Sequence, residues 1–240
     1  MKENKFIIVG APRTGTSVIC SILNNSGANF GFDNHKAWDR ASGDFEHPLL
    51  ISNYKYLKRR QFFTQFSDQL ARWHDQKIQT NLQKILSQVA FIKYPPLCEL
   101  LPKYIHKLGY NPQLIVIIRE FNDFAFSYLS KENCTITELE NIYIQTYKTS
   151  LISLLIYGGS IVLYNDLIDK TKTKWAKNLA EYSNVPYSTL IEERDKAIHT
   201  LKSPDELSKL ILSTTCDELY KTYEQYKDVV FSISTKHKMA

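Results

Sequence analysis

The sequence predicts a three-layer α/β sandwich around a central parallel sheet. Three observations carry that prediction. Short unbroken apolar runs recur along the chain, as strands buried on both faces require. Segments with helical apolar spacing separate each run from the next. The first run ends on a glycine-punctuated loop that opens a helix.

Residues 6–9 (Phe-Ile-Ile-Val) read as the first strand, ending at Gly10. Residues 16–24 show helical spacing through Val18, Ile19, Ile22 and Leu23, and Asn25-Ser26-Gly27 supplies the stop. Residues 28–48 form a long irregular segment of the kind that is functional or mobile. Residues 49–88 read as mostly helical. Residues 89–93 are a second strand, stopped by Pro95-Pro96, and a helix over 97–108 closes at Gly109. Residues 113–118 are the clearest core strand. A short helix over 123–131 follows, then a longer one over 137–157 with apolar positions at 139, 142, 147, 151 and 154, broken by Gly158-Gly159. Residues 160–164 are a fourth strand. Asp166 or Asp169 is expected to cap a helix running to about Tyr182. After Pro186 the chain turns helical and polar. Residues 203–227 form a helix with Ser203 as cap and Pro204 at its first position. The whole reads as one domain, with a core over 1–183 and a mostly helical C-terminal extension over 184–240.

Composition narrows the partners. The chain has 240 residues, 43% of them hydrophobic, enough for one substantial core. Gly and Pro number 8 each, which argues against disorder. A formal charge of +5 suits an anionic small ligand better than a nucleic-acid duplex, and the run Lys55-Tyr-Leu-Lys-Arg-Arg60 reads as a solvated helix face. The aromatics within 54–66, including Phe62, Phe63 and Phe66, read as core before they read as a stacking cleft. Cys20, Cys98, Cys134 and Cys216 are widely spaced and read as reduced thiols, not a zinc site or a disulfide framework. No leader or membrane span is expected ahead of the first strand, so a soluble cytoplasmic protein is anticipated.

The loop Gly10-Ala-Pro12-Arg13-Thr14-Gly15-Thr16-Ser17 carries the functional signal. The first amides of a helix lack intrahelical acceptors, and the helix dipole adds positive charge there. Gly10 and Gly15 permit the turn and a close approach of the backbone to an anion. Thr14, Thr16 and Ser17 add hydroxyl donors, and Arg13 adds a fork of N–H donors. Gly10, Gly15 and Ser17 fit the G-x-x-x-x-G-K-[ST] frame of nucleoside-triphosphate loops, but Thr16 stands where the lysine belongs. That substitution disfavours a P-loop kinase.

This loop resembles the 5′-phosphosulfate loop of sulfotransferases, especially bacterial and Golgi-type forms reading G-x-P-R-S-G-T-S. Three further stretches resemble the family in order. Arg119-Glu-Phe-Asn-Asp-Phe-Ala-Phe-Ser127 is similar to R-[DN]-P-x-[DE]-x-x-x-S, with Phe121-Asn122 departing from it. Lys93-Tyr-Pro95-Pro96 is similar to K-D-P-R, and Tyr164-Asn-Asp166-Leu to Y-E-D-L. The resemblance implies a P-loop-NTPase-like sulfotransferase fold and the donor 3′-phosphoadenosine 5′-phosphosulfate (PAPS), with PAP as product and no metal. It also implies that Arg119 and Ser127 hold the 3′-phosphate and that Arg13 and the loop hold the 5′ end. Gly43-Asp-Phe-Glu46-His47 resembles a G-Y-F-E stretch whose glutamate is the base. Glu46 is therefore the first choice of base, with His47, His35 and Asp44 as alternatives. His35 and Lys93 are candidate substrate contacts. The expected reaction is in-line sulfuryl transfer to a hydroxyl or amine of a small molecule, glycan or lipid. The alternative is a non-catalytic nucleotide-binding or interaction protein of the same fold. The acceptor and the oligomeric state are not written in the sequence.

Overall fold

A computed structural model of the chain describes residues 2–31, 45–95, 100–198 and 213–239, with side chains to 227. Four strands form one all-parallel sheet in the order β2-β1-β3-β4. These are β1 (Asn4–Val9), β2 (Phe91–Lys93), β3 (Asn111–Ile118) and β4 (Gly159–Leu163). β1 pairs with β2 from Phe6↔Phe91 to Ile8↔Lys93 and with β3 from Asn4↔Asn111 to Val9↔Val116. β3 pairs with β4 from Leu114↔Gly159 to Ile118↔Leu163.

The two-residue period of the strands builds the three layers. Ile7, Val9, Leu114, Val116, Ile118, Ile161 and Leu163 point into one apolar cluster. Phe6, Ile8, Ile115, Ile117 and Val162 point into the other. The first layer is covered by α2 (Pro48–Phe63), α3 (Asp68–Leu86), α4 (Leu101–Lys107), α5 (Phe121–Leu129), α6 (Ile136–Tyr157) and α10 (Thr214–Met239). The second is covered by α1 (Thr16–Asn25), α7 (Tyr164–Ile168), α8 (Lys174–Ser183) and α9 (Tyr187–Ile198). The predicted α/β sandwich with a central parallel sheet is the fold observed.

Local chemistry sets the boundaries. His47 caps α2 with Pro48 at its first position, Ser67 caps α3, and Thr135 with Glu138 closes a capping box on α6. Gly158, with φ +83°, ends α6.

Several expectations need correction. The helix expected from Asp166 to Tyr182 is two helices, α7 and α8, separated at 169–173. Asp166 does not cap. Its carboxylate takes Lys172 Nζ and Lys227 Nζ, each at 2.8 Å. Asp169 instead accepts from the N–H and hydroxyl of Thr171 in the turn after α7. The buried Arg194 clips that turn through the carbonyls of Asp169 and Lys172. Inside α6 the buried tyrosines are Tyr143 and Tyr147, whereas Ile142 and Leu151 are only partly buried. Of the helix expected over 203–227, the described part is α10, which begins at Thr214; Ser213 is not helical, and its carbonyl accepts from Asp217 N–H. Ser203, Pro204 and Cys98 lie outside the described residues. Phe62 and Phe66 are exposed, not core.

Asp166 ties α10 to the turn beside β4, and its two lysines hold its carboxyl below the usual aspartate range. A depressed folded pKa stabilises above the unfolded pKa and is lost as pH falls through the folded one. Asp166→Asn is therefore expected to destabilise the protein by about 1–2 kcal/mol at neutral pH. The deficit should shrink as the pH drops below about 4. Urea titrations of both proteins across pH check it; a deficit that persists unchanged in acid would refute the assignment.

Candidate functional site

β1 sits between β2 and β3, so the chain leaving β1 emerges where successive connections diverge to opposite sides. Open parallel sheets bind ligands at the carboxyl ends of strands flanking such a point. Each of the three strand ends here contributes a distinct group.

β1 contributes the loop. Arg13 (φ +70°) and Gly15 (φ +96°) both take left-handed backbone, which folds the loop tightly into α1. A Cβ at Gly10 would lie 2.8 Å from the Ile117 carbonyl oxygen, and one at Gly15 would lie 2.6 Å from the Tyr164 ring. Thr14 is buried and acts inward, with its hydroxyl donating to the Ala11 carbonyl at 2.6 Å. Arg13 and Pro12 are exposed, and Ser17 is half-buried in the first turn of α1. That turn carries no acidic residue and takes no side-chain cap, which preserves its positive pole.

β2 contributes Lys93, the last residue of its strand. Its side chain is 4% exposed, and Nζ donates to Ser17 Oγ at 3.0 Å. Nζ also lies 3.7 Å from Glu46 Oε1, and Glu46 pairs with Lys93 as a single parallel bridge. A buried ammonium thus reaches the first turn of α1 from the neighbouring strand. Glu46 is held by that bridge beside the loop. His47, the next residue, is the cap of α2: Nδ1 accepts from Leu49 N–H at 3.1 Å. Burial lowers the His47 pKa. The neighbouring Tyr94 phenol is pushed up to about 12, chiefly by burial and then by the nearby Glu46 charge.

β3 contributes Arg119, just beyond its end. The guanidinium carbon lies 4.5 Å from the centre of the Tyr164 ring, and Nε is 3.7 Å from Asp123 Oδ2. Arg119 Nε is nonetheless buried without a hydrogen-bond partner among the described residues. Asp123 and Ser127 follow at helical spacing on one face of α5, and Ser127 is half-buried.

Two tyrosines of α6, one turn apart, hold these pieces together. Tyr147 Oη accepts from Ala11 N–H at 3.3 Å and donates to the Ile117 carbonyl at 2.9 Å. Tyr143 Oη donates to the Arg119 carbonyl at 2.7 Å. Tyr223 of α10 supports Tyr147 from behind through its carbonyl. Burial raises the pKa of Tyr143 and of Tyr223, so both stay protonated donors. The sequence marks position 147 as an apolar, core-facing position but gives no role to either tyrosine hydroxyl. The available signal was a pair of tyrosines at i and i+4 on a core face, since a buried phenol needs a partner for its hydroxyl. His35 and Asp44 lie outside the described residues. Among the described residues no His/Cys/Asp/Glu group is arranged to hold a metal ion, and no helix is long and apolar enough to cross a membrane.

Comparison with solved structures finds the sulfotransferase domain from the curacin biosynthetic pathway. It is 15% identical, with a TM-score of 0.50, over 92% of this chain and 91% of that one. The likeness is one of fold: an α/β architecture of the sulfotransferase, P-loop-like type. No protein-family model matches the chain, and no sequence of a curated protein does.

Tyr147→Phe leaves the Ala11 amide and the Ile117 carbonyl buried without that partner. The expected cost is about 1–3 kcal/mol of stability, read by chemical denaturation. A change below about 0.5 kcal/mol would show that the loop holds its place without the phenol.

Proposed function

We propose that the protein is a sulfotransferase that uses PAPS as donor and passes a sulfuryl group to a hydroxyl or amine of a small molecule, glycan or lipid. The observation that carries this reading is the arrangement of cations on three adjacent strand ends. Arg13 lies in the loop after β1, Lys93 ends β2, and Arg119 follows β3, with Ser127 on the helix that comes next. A donor phosphorylated at both ends of one ribose needs two separate anion sites, and the loop and the Arg119 region supply two.

The residues present fit such a donor. The Gly10 position has no room for a Cβ, as a backbone cradle requires, and Arg119 Nε is a buried donor lacking a protein partner. In this reading the loop amides with Arg13 hold the 5′ end, and Arg119 with Ser127 holds the 3′-phosphate. When bound, PAPS supplies an activated sulfonate on a phosphate leaving group. Lys93 and Ser17 offer a preorganised positive charge and a hydroxyl beside the loop, where negative charge would build during transfer. Glu46 is the favoured proton acceptor over His47. With Nδ1 accepting from Leu49 N–H, a neutral His47 carries its proton on Nε2, which then donates and does not accept.

A second reading, a nucleotide-binding protein without transferase activity, is favoured by the pairing of Glu46 with Lys93, which engages the would-be base. Assays separate the two. PAP is expected to bind in calorimetry, and Arg119→Ala should weaken it about tenfold or more while affecting adenosine 5′-phosphosulfate less. Absence of PAP binding would sink both readings. Transfer of label from PAPS to extract acceptors should fall about a hundredfold or more in Glu46→Gln at unchanged PAP affinity. PAP binding without any transfer in the unmodified protein would leave the second reading standing.

A further inference from the structure

The α2–α3 hairpin ends in an exposed aromatic surface that neither the fold nor the nucleotide site uses. Phe62 is 59% exposed, Phe66 71%, Leu70 44% and Trp73 46%. These residues lie on either side of the turn between the two helices. The Phe62 and Phe66 rings lie 5.3 Å apart, and Leu70 and Trp73 follow at i,i+3 spacing in the first turns of α3. The surface is built on a firm base. His74, buried beneath it, stacks on Phe63 at 5.5 Å and meets Trp73 edge-on at 4.8 Å. Burial and the nearby Arg59 lower the His74 pKa, so it packs there as a neutral ring.

Charge surrounds the aromatics. Residues 48–86 contain seven lysines and arginines against two aspartates, an excess equal to the formal +5 of the entire chain. One aspartate, Asp75, is already held by Arg60, Lys107 and the Tyr104 hydroxyl. Lys58, Arg59, Arg72 and Lys77 are exposed on the same two helices; Lys77 Nζ sits 5.3 Å from the Trp73 centroid and Lys58 Nζ 5.2 Å from that of Tyr54. None of the four makes an ion pair among the described residues.

We propose that this hairpin tip docks on an anionic lipid bilayer, with Phe62, Phe66 and Trp73 entering the headgroup–acyl boundary and the flanking basic side chains meeting lipid phosphates. Charge complementarity selects that partner: four exposed basic side chains, Lys58, Arg59, Arg72 and Lys77, flank the exposed apolar residues of the tip, against the single acidic residue Asp68 in the turn, the pairing that interfacial anchors present. α3 is amphipathic, and neither helix is long and apolar enough to span a bilayer. The hairpin's core-cluster residues, Leu50, Leu57, Ile78, Leu82, Ile85 and Leu86, all lie outside the tip segment 62–73. The tip can therefore enter an interface without disturbing the packed core.

Flotation of the full chain with vesicles tests this. At low salt the protein should float with phosphatidylcholine vesicles containing phosphatidylglycerol, and at least about tenfold less with phosphatidylcholine alone. Salt should release it, because exposed charges are screened. Phe62→Ser with Phe66→Ser should lower binding to the anionic vesicles about tenfold or more. Lys58→Gln with Arg59→Gln should do the same, since each basic side chain near an anionic surface contributes about fivefold. All four positions are exposed, and an unchanged thermal melt and PAP titration of each variant report an intact fold. No binding to anionic vesicles, or binding that the phenylalanine variant retains in full, would overturn the proposal. The latter result would mean charge attraction alone, and a soluble acidic protein would then be the better partner.

Discussion

The phenol of Tyr147 stands where β1 leaves the sheet. β1 and β3 pair only as far as Val9↔Val116. The next amide and carbonyl along, at Ala11 and Ile117, meet through the Tyr147 hydroxyl, which accepts from one and donates to the other. Both groups are buried, so leaving them unpaired would be costly. One side chain thus sets the height at which the loop rises from the sheet, and Tyr143 fixes Arg119 by the same means one turn earlier. The loop and the Arg119 backbone inherit their separation from the pitch of α6. Tyr223 adds α10 to this support, so the C-terminal helix braces the site from behind.

The charges of the site come from different parts of the chain and are handled differently. Lys93 is buried and given defined partners in Ser17 and Glu46. Arg119 is held by ring stacking and a loose ion pair, leaving its Nε without a hydrogen bond. Arg13 is exposed on strained backbone. The three cations thus differ in setting: one is fixed, one is partly satisfied and one faces solvent.

Most of the architecture was legible because it rests on periodicity. The apolar runs at β1, β3 and β4 and the glycines at 10, 15 and 158 are local signals, and each marks an element or a turn in the structure. In α6 the expected positions 139, 147 and 154 are buried and Ile142 and Leu151 pack at the margin; Tyr143 was left out because apolar counting gives a tyrosine little weight, although its hydroxyl finds the Arg119 carbonyl in the interior. The split of α7 from α8 was missed for a related reason. Asp169 looked like a cap, but its partner is the turn at Thr171, and Arg194, far along the chain, holds that turn. In the candidate site, the loop and Arg119 were visible as motifs. The Lys93–Ser17 contact was not, since 76 residues separate them and neither residue alone signals the other.

That contact has a consequence for how the site tolerates change. Because the buried ammonium arrives on β2 and not on α1, its placement is a matter of strand register. Lys93 lies opposite Ile8, and its neighbour Ile92 faces the other way, into the apolar layer. A slip of one residue between β1 and β2 would exchange them, putting a charge in the oil and a methyl beside Ser17. The loop's electrostatics are therefore guarded by the stacked Phe6 and Phe91 rings that lock the same pair of strands, 4.6 Å apart and remote from any anion. Mutations at that aromatic pair would act on the chemistry at a distance, by shifting which atoms the sheet delivers to its edge.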